Sequence, residues 1–210
     1  MTARKIALIL EVAVAVAMTW VLFQSHHRTA RGCPDVEVVS ARGSDQPAGV
    51  GIIGQAFIDS LKSKLPRRNI GVYAVNYPAS NDLIRSPVLG ADDARAHVQA
   101  TVAQCPNTRI VLSGYSQGAY VIDRITEELR PEVADHVAAV AVFGNPRSAL
   151  ASRQAGSRLP TISPLYRPKT IDLCTPDDPV CSEGANWSAH AQYIQSGMTT
   201  QAATFVAGKL

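Results

Sequence analysis

The chain has 210 residues, 46% of them hydrophobic, with 20 Lys and Arg against 17 Asp and Glu and a formal net charge of +3 at pH 7. The excess sits at one end: residues 1–31 hold four of the bases (Arg4, Lys5, Arg28, Arg31) and one acid (Glu11), so 16 of each remain beyond them. A neutral chain with no basic helix, no interleaved aromatic and basic residues and no zinc-finger spacing argues against a nucleic-acid partner, and roughly 180 residues suffice for one domain with a real core.

Arg4 and Lys5 precede IALILEVAVAVAMTWVLF, residues 6–23, interrupted only by Glu11 and followed by polar QSHHRTARG. This reads as an export signal, and the protein is expected to be secreted. The run approaches membrane-spanning length and small residues at cleavage spacing come late, at Ala30 and Gly32, so a retained N-terminal anchor is the alternative. Residues 1–32 are thus expected to be leader and 33–210 a single domain. Cys33 follows Gly32 as a lipid-modified cysteine would, but Arg31 occupies a place where that signal needs a small or apolar residue. All four cysteines, Cys33, Cys105, Cys174 and Cys181, lie after the leader, which points to disulfides. None forms a CxxC pair, so zinc is not expected. Of the three possible connectivities, the one expected joins Cys174 to Cys181 locally and leaves Cys33 for Cys105.

Val36 to Ala41 is the first predicted strand, followed by the loop ARGSDQPAG and an amphipathic helix from Ile52 to Leu65. Gly49, Gly51 and Gly54 have the spacing of a dinucleotide fingerprint, but seven residues separate them from the strand and no acid ends the next one, so they read as packing glycines. A second strand, Ile70 to Val75, runs into NYPAS. Residues 78–90 form a loop of unusual apolarity (Leu83, Ile84, Val88, Leu89), either folded back as a small core or exposed beside a site. A helix from Ala91 to Gln104 carries His97, an ordinary packing or surface histidine.

Residues 109–129, RIVLSGYSQGAYVIDRITEEL, organise the rest. A β-branched apolar run meets Gly114-Tyr115-Ser116-Gln117-Gly118 and passes straight into helical spacing. Strand, tight turn and helix with Gly-x-Ser-x-Gly read as a nucleophile elbow, which makes Ser116 the candidate nucleophile. His136 to Phe143 is nearly continuous apolar, as in a strand covered on both faces. Residues 146–168 hold Arg147, Arg153, Arg158 and Arg167 and no acid, and read as a solvated loop or as a surface for anionic lipid or cell-envelope material. The fifth strand is Thr170 to Leu173. Alternating strands and helices give an α/β sheet of five mostly parallel strands.

Residues 174–190, CTPDDPVCSEGANWSAH, supply what Ser116 lacks. An α/β-hydrolase takes its acid and base downstream in the order Ser, Asp, His. Only His136 and His190 follow Ser116, and His136 begins a buried strand far from the carboxyl ends, so His190 is the candidate base. Asp178 lies inside the Cys174 to Cys181 ring, where a carboxylate would be held steady; Asp177 is its rival. A final helix is expected over Ala191 to Leu210. No stretch is long enough for a cap domain, so the site should be an open hydrophobic slot between Leu83, Ile84, Val88 and Leu89 on one side and Val180 and Trp187 on the other.

GYSQG together with Cys-x3-Asp-x2-Cys and a histidine nine residues later resembles the cutinase family of secreted serine esterases, and ARGS and VNYPAS resemble its actinobacterial branch. The resemblance covers nearly all of residues 33–208. It implies a three-layer α/β-hydrolase fold without a cap domain, in sheet order 2-1-3-4-5. It further implies Ser116 as nucleophile, Asp178 rather than Asp177 as acid, His190 as base, an oxyanion hole at Ser44 and Gln117, and disulfides Cys33 to Cys105 and Cys174 to Cys181. The expected activity is hydrolysis of short to medium acyl esters, polyester or lipid esters through an acyl-enzyme, by a monomer with no cofactor and no metal, with cell-envelope or membrane association left open. An envelope acyltransferase with the same triad and a non-catalytic envelope-binding protein are the alternatives.

Overall fold

Every strand of the sheet runs parallel to its neighbours, in the order β2-β1-β3-β4-β5. The computed structural model describes residues 32–210 apart from Ser157; the expected export segment, 6–23, lies outside them. The chain divides into Met1–Cys33 and Pro34–Leu210, and every element described belongs to the second unit. The strands are β1 (Val36–Ala41), β2 (Ile70–Ala74), β3 (Arg109–Tyr115), β4 (Val137–Phe143) and β5 (Thr170–Leu173). The helices are α1 (Gly51–Lys64), α2 (Arg85–Gln104), α3 (Gln117–Glu128), the short α4 (Pro131–Ala134), α5 (Ala149–Ala155) and α6 (Met198–Ala207).

The side-chain period of two divides each inner strand between two cores. On one face Val39, Ile110, Leu112, Val140 and Val142 meet α2 and α3 through Ala94, Val98, Val121, Ile122 and Ile125. On the other, Val36, Val38, Val111, Ala139 and Phe143 meet α1 and α6 through Phe57, Ile58, Leu61, Ala202 and Val206. Every residue of β4 is buried, which is why its sequence shows no polar alternation. The result is helix, sheet, helix, with all five strand carboxyl ends at one edge and a switch point between β1 and β3, whose connections leave in opposite directions.

Three boundaries differ from the sequence reading. Helix α2 begins at Arg85 rather than Ala91: Asp82 Oδ1 accepts the Ile84 and Arg85 N–H groups at 3.2 and 2.9 Å and so starts the helix early, while Pro87 falls in the first turn, where its missing N–H costs nothing. The arginine-rich segment is not all loop. Ser148 caps α5 by accepting the Ala151 N–H at 3.0 Å, and Gly156 closes it in the left-handed conformation. The last helix starts at Met198, after a 3₁₀ turn at Ala189–Ala191 and Gly197 at φ 76°.

Candidate active site

Ser116 joins β3 to α3 at φ 55°, a conformation costly for a residue with a side chain. The turn is tight enough that a Cβ on Gly118 would lie 2.0 Å from the Ala41 carbonyl oxygen. Glycine there lets the start of α3 press against the end of β1, which brings the loop carrying Ser44 beside the serine.

The Ser116 Oγ lies 2.9 Å from His190 Nε2, and His190 Nδ1 lies 2.8 Å from Asp178 Oδ2. Three residues far apart in sequence thus form one hydrogen-bonded chain across the carboxyl ends of β3 and β5. His190 is fixed from two sides: the Tyr115 ring stacks on it at 5.0 Å while the Tyr115 hydroxyl donates to the His190 carbonyl at 2.7 Å. Behind it is Gly144 at φ 56°, where a Cβ would stand 2.8 Å from His190 Cε1. His136 is at the opposite edge, just before β4.

Asp178 is completely buried. Burial opposes its ionisation, but donors from His190, Tyr193 and the Val180 N–H outweigh it and hold the carboxyl below the usual carboxylate range. The Tyr193 hydroxyl donates to Oδ2 at 2.6 Å and the Val180 N–H to Oδ1 at 2.8 Å. The loop is closed by the Cys174–Cys181 disulfide and latched to the start of α5, where the Arg147 and Ser148 N–H groups donate to the Val180 carbonyl and the Ser148 hydroxyl to that of Pro179. Asp177 is exposed at φ 64°, and the carboxylate bonded to His190 is that of Asp178. Cys33 and Cys105 are also disulfide-bonded, and no described cysteine is free.

Gln117 contributes twice. Its backbone N–H, in the first turn of α3, has no intrahelical acceptor. Its side chain donates through Nε2 to Ser44 Oγ at 3.1 Å and to the Ser80 carbonyl at 2.8 Å, while Oε1 accepts from Ser86 Oγ at 2.8 Å. Ser44 is therefore oriented by a buried chain running back to α2.

Above these groups lies a cavity of about 370 Å³. Leu83, Val180 and Trp187 line it as expected, but Val88 does not, and Ile84 and Leu89 face solvent at 64% and 52% exposure, since the early start of α2 turns them outward. In their place stand Pro87, Tyr120 and a wall the sequence reading missed, made by Pro146, Ala151, Gln154, Ala155 and Leu159. The cap and stop of α5, Ser148 and Gly156, were the signals for it. Among the described residues no group of His, Cys, Asp and Glu could hold a metal ion.

A family model, Cutinase, matches residues 32–210. The chain belongs to the cutinase family. Among curated cutinase relatives, carboxylesterase Culp1 of Mycobacterium tuberculosis is 56% identical over 213 residues, covering 100% of this chain and 98% of that one. Phospholipase Culp4 of the same organism is 46% identical over 189 residues, covering 85% and 80%. Among solved structures, Trichoderma reesei cutinase in complex with a phosphonate inhibitor superimposes with a TM-score of 0.67 at 29% identity, covering 84% of this chain and 77% of the other. The fold is that of an α/β-hydrolase, and this cutinase is a carboxylic ester hydrolase.

Proposed function

We propose that the protein is an exported serine esterase in which Ser116 attacks the ester carbonyl, His190 takes its proton, and Asp178 holds the imidazole and stabilises its charged form. Ser44 and Gln117 receive the negative oxygen of the tetrahedral intermediate through the Gln117 backbone N–H and the Ser44 hydroxyl. The alcohol departs, water enters, and His190 serves again as base to free the acid. The observation that carries this reading is the unbroken chain Ser116, His190, Asp178 at 2.9 and 2.8 Å.

The open cavity and its short apolar walls favour short to medium acyl chains, and similarity to both a carboxylesterase and a phospholipase supports an ester substrate with a lipid-like acyl group. Residues 6–23 would direct export, and the Cys174–Cys181 disulfide suits the oxidising compartment it leads to. The test is labelling by a fluorophosphonate together with hydrolysis of dissolved butyrate esters. Wild-type protein should do both and Ser116→Ala neither, while keeping its thermal transition. Labelling that survives Ser116→Ala, or a wild-type protein that neither labels nor hydrolyses, would overturn the proposal.

A further inference from the structure

The chemistry of ester cleavage assigns the two halves of the cavity. In acylation the Ser116 Oγ to carbonyl carbon bond forms and the bond from that carbon to the alcohol oxygen breaks; the serine proton passes through His190 Nε2 to the departing oxygen. The alcohol half of the ester must therefore lie against His190, with the acyl half extending away from it. Tyr115 stacks on the imidazole at 5.0 Å, and another large aromatic side chain beside His190 is Trp187. It lines the same cavity as Ser116 and His190, its ring stands perpendicular to the imidazole at 6.4 Å between centroids, and it is 57% exposed.

The backbone that carries this indole is fixed by hydrogen bonds. The Asn186 N–H donates to the Asp177 carbonyl at 3.0 Å, Asn186 Oδ1 accepts the Ser188 N–H at 3.0 Å, and the Trp187 carbonyl accepts the His190 N–H at 3.2 Å. The turn that aims the base therefore aims the tryptophan as well. A large aromatic surface held open to water beside the catalytic base, and not used by either core, is available to a ligand.

We propose that Trp187 is the platform of a leaving-group subsite that takes the ring face of a cyclic polyol, so that acylated sugars are favoured over simple alkyl esters of the same acid. The proposal rests on His190 being the base. A pyranose presents a flat face of C–H bonds to an indole and keeps its hydroxyls around the edge, in water or against polar groups. Side-chain amides of Gln46, Asn81 and Gln154 line the same cavity and can meet such hydroxyls. A plain alkyl alcohol offers those amides nothing and is covered on one side only.

The test compares methyl 6-O-butyryl-glucopyranoside with ethyl butyrate, both below their solubility limits. Both give the same butyryl-enzyme, so a difference in kcat/KM between them arises in acylation, where the alcohol is still bound. The ratio of kcat/KM for the glycoside ester over the ethyl ester should fall about tenfold in Trp187→Ala and be largely kept in Trp187→Phe. A ratio unchanged by Trp187→Ala, whether both rates fall equally or neither falls, would overturn the subsite. So would a Trp187→Ala defect seen only on phosphatidylcholine vesicles, which would make the indole a lipid-inserting side chain. Wild-type protein that cleaves neither ester and takes no fluorophosphonate label would instead overturn the esterase reading, a result distinct from an active enzyme with an indifferent ratio.

Discussion

The Tyr193 hydroxyl and His190 Nδ1 converge on one oxygen, Asp178 Oδ2, at 2.6 and 2.8 Å. Tyr193 is completely buried. Its oxygen also accepts the Thr175 N–H at 3.3 Å and lies 3.4 Å from Cys181 Sγ. The phenol thus ties Asp178 to both ends of the disulfide loop, and burial with the bond to Asp178 pushes its own ionisation well above the usual tyrosine value.

Tyr193→Phe keeps the ring contacts with Tyr115 and Phe143 and removes only the hydroxyl, which donates to Asp178 and accepts from Thr175. The carboxylate then holds the imidazolium more strongly, so the acid limb of the kcat/KM profile should move to higher pH, with kcat down about tenfold at neutral pH. Loss of the acceptor for the Thr175 N–H should also cost about 1–3 kcal/mol of stability. A lower Tm with an unmoved pH profile would reduce Tyr193 to a packing role.

Gln117→Leu leaves the backbone N–H in place but frees the Ser44 hydroxyl from its 3.1 Å donor. Steady-state kcat should fall about 10- to 100-fold, and Ser44→Ala should do the same. Because both changes remove one function, the double variant should lose little more than either alone. Independent, multiplying losses measured in a double-mutant cycle would show that Gln117 does not act through Ser44.

Replacing both cysteines of the short ring (Cys174→Ser, Cys181→Ser) should cost activity before secondary structure, because the ring carries Asp178 while the sheet is held by its two apolar cores. The comparison is Asp178→Asn, with circular dichroism recorded alongside turnover. Full turnover in the cysteine variant would mean that the Tyr193, Val180 and Ser148 bonds position the loop unaided.

Asp123, buried in α3, accepts from Asn145 Nδ2 at 3.2 and 3.1 Å. Burial, opposed by that bond, pushes its carboxyl up from 3.8 to about 7. Between pH about 4 and 7 the folded protein keeps a proton that the unfolded chain has released, so this group lowers stability as pH rises through that window. Asp178 acts in the opposite sense, its contribution being lost as pH falls below the ordinary carboxylate range. Asp123→Asn retains an acceptor for Asn145 and should flatten the decline. Urea midpoints at several pH values would test it, and an unchanged slope would contradict a raised Asp123.

The sheet was legible because its inner strands are buried on both faces and leave uninterrupted apolar runs, as β4 does, and because one short motif joins strand to helix at Ser116. Order in the sheet came from family resemblance, since residue patterns carry no record of which strand lies beside which. The wall from Pro146 to Leu159 was overlooked because four arginines masked a seven-residue helix whose only marks were Ser148 and Gly156. Ile84 and Leu89 were misplaced for a related reason: one Asp82 side chain moved a helix start by six residues and so rotated them outward. Tyr193 gave no signal, because a tyrosine near a helix reads as packing until its hydroxyl is seen on a carboxylate.

Gly144 extends this to a position with no chemistry at all. The imidazole of His190 occupies the volume that any other residue's Cβ would claim, with Cε1 at 2.8 Å and the Tyr193 hydroxyl at 3.0 Å from it. A saturation screen should therefore find two kinds of inactivating position in this enzyme, one where a reactive group is taken away and one where an atom is added. At residue 144 methyl is already too much, and the strand beneath it would stay folded while the imidazole stood out of line.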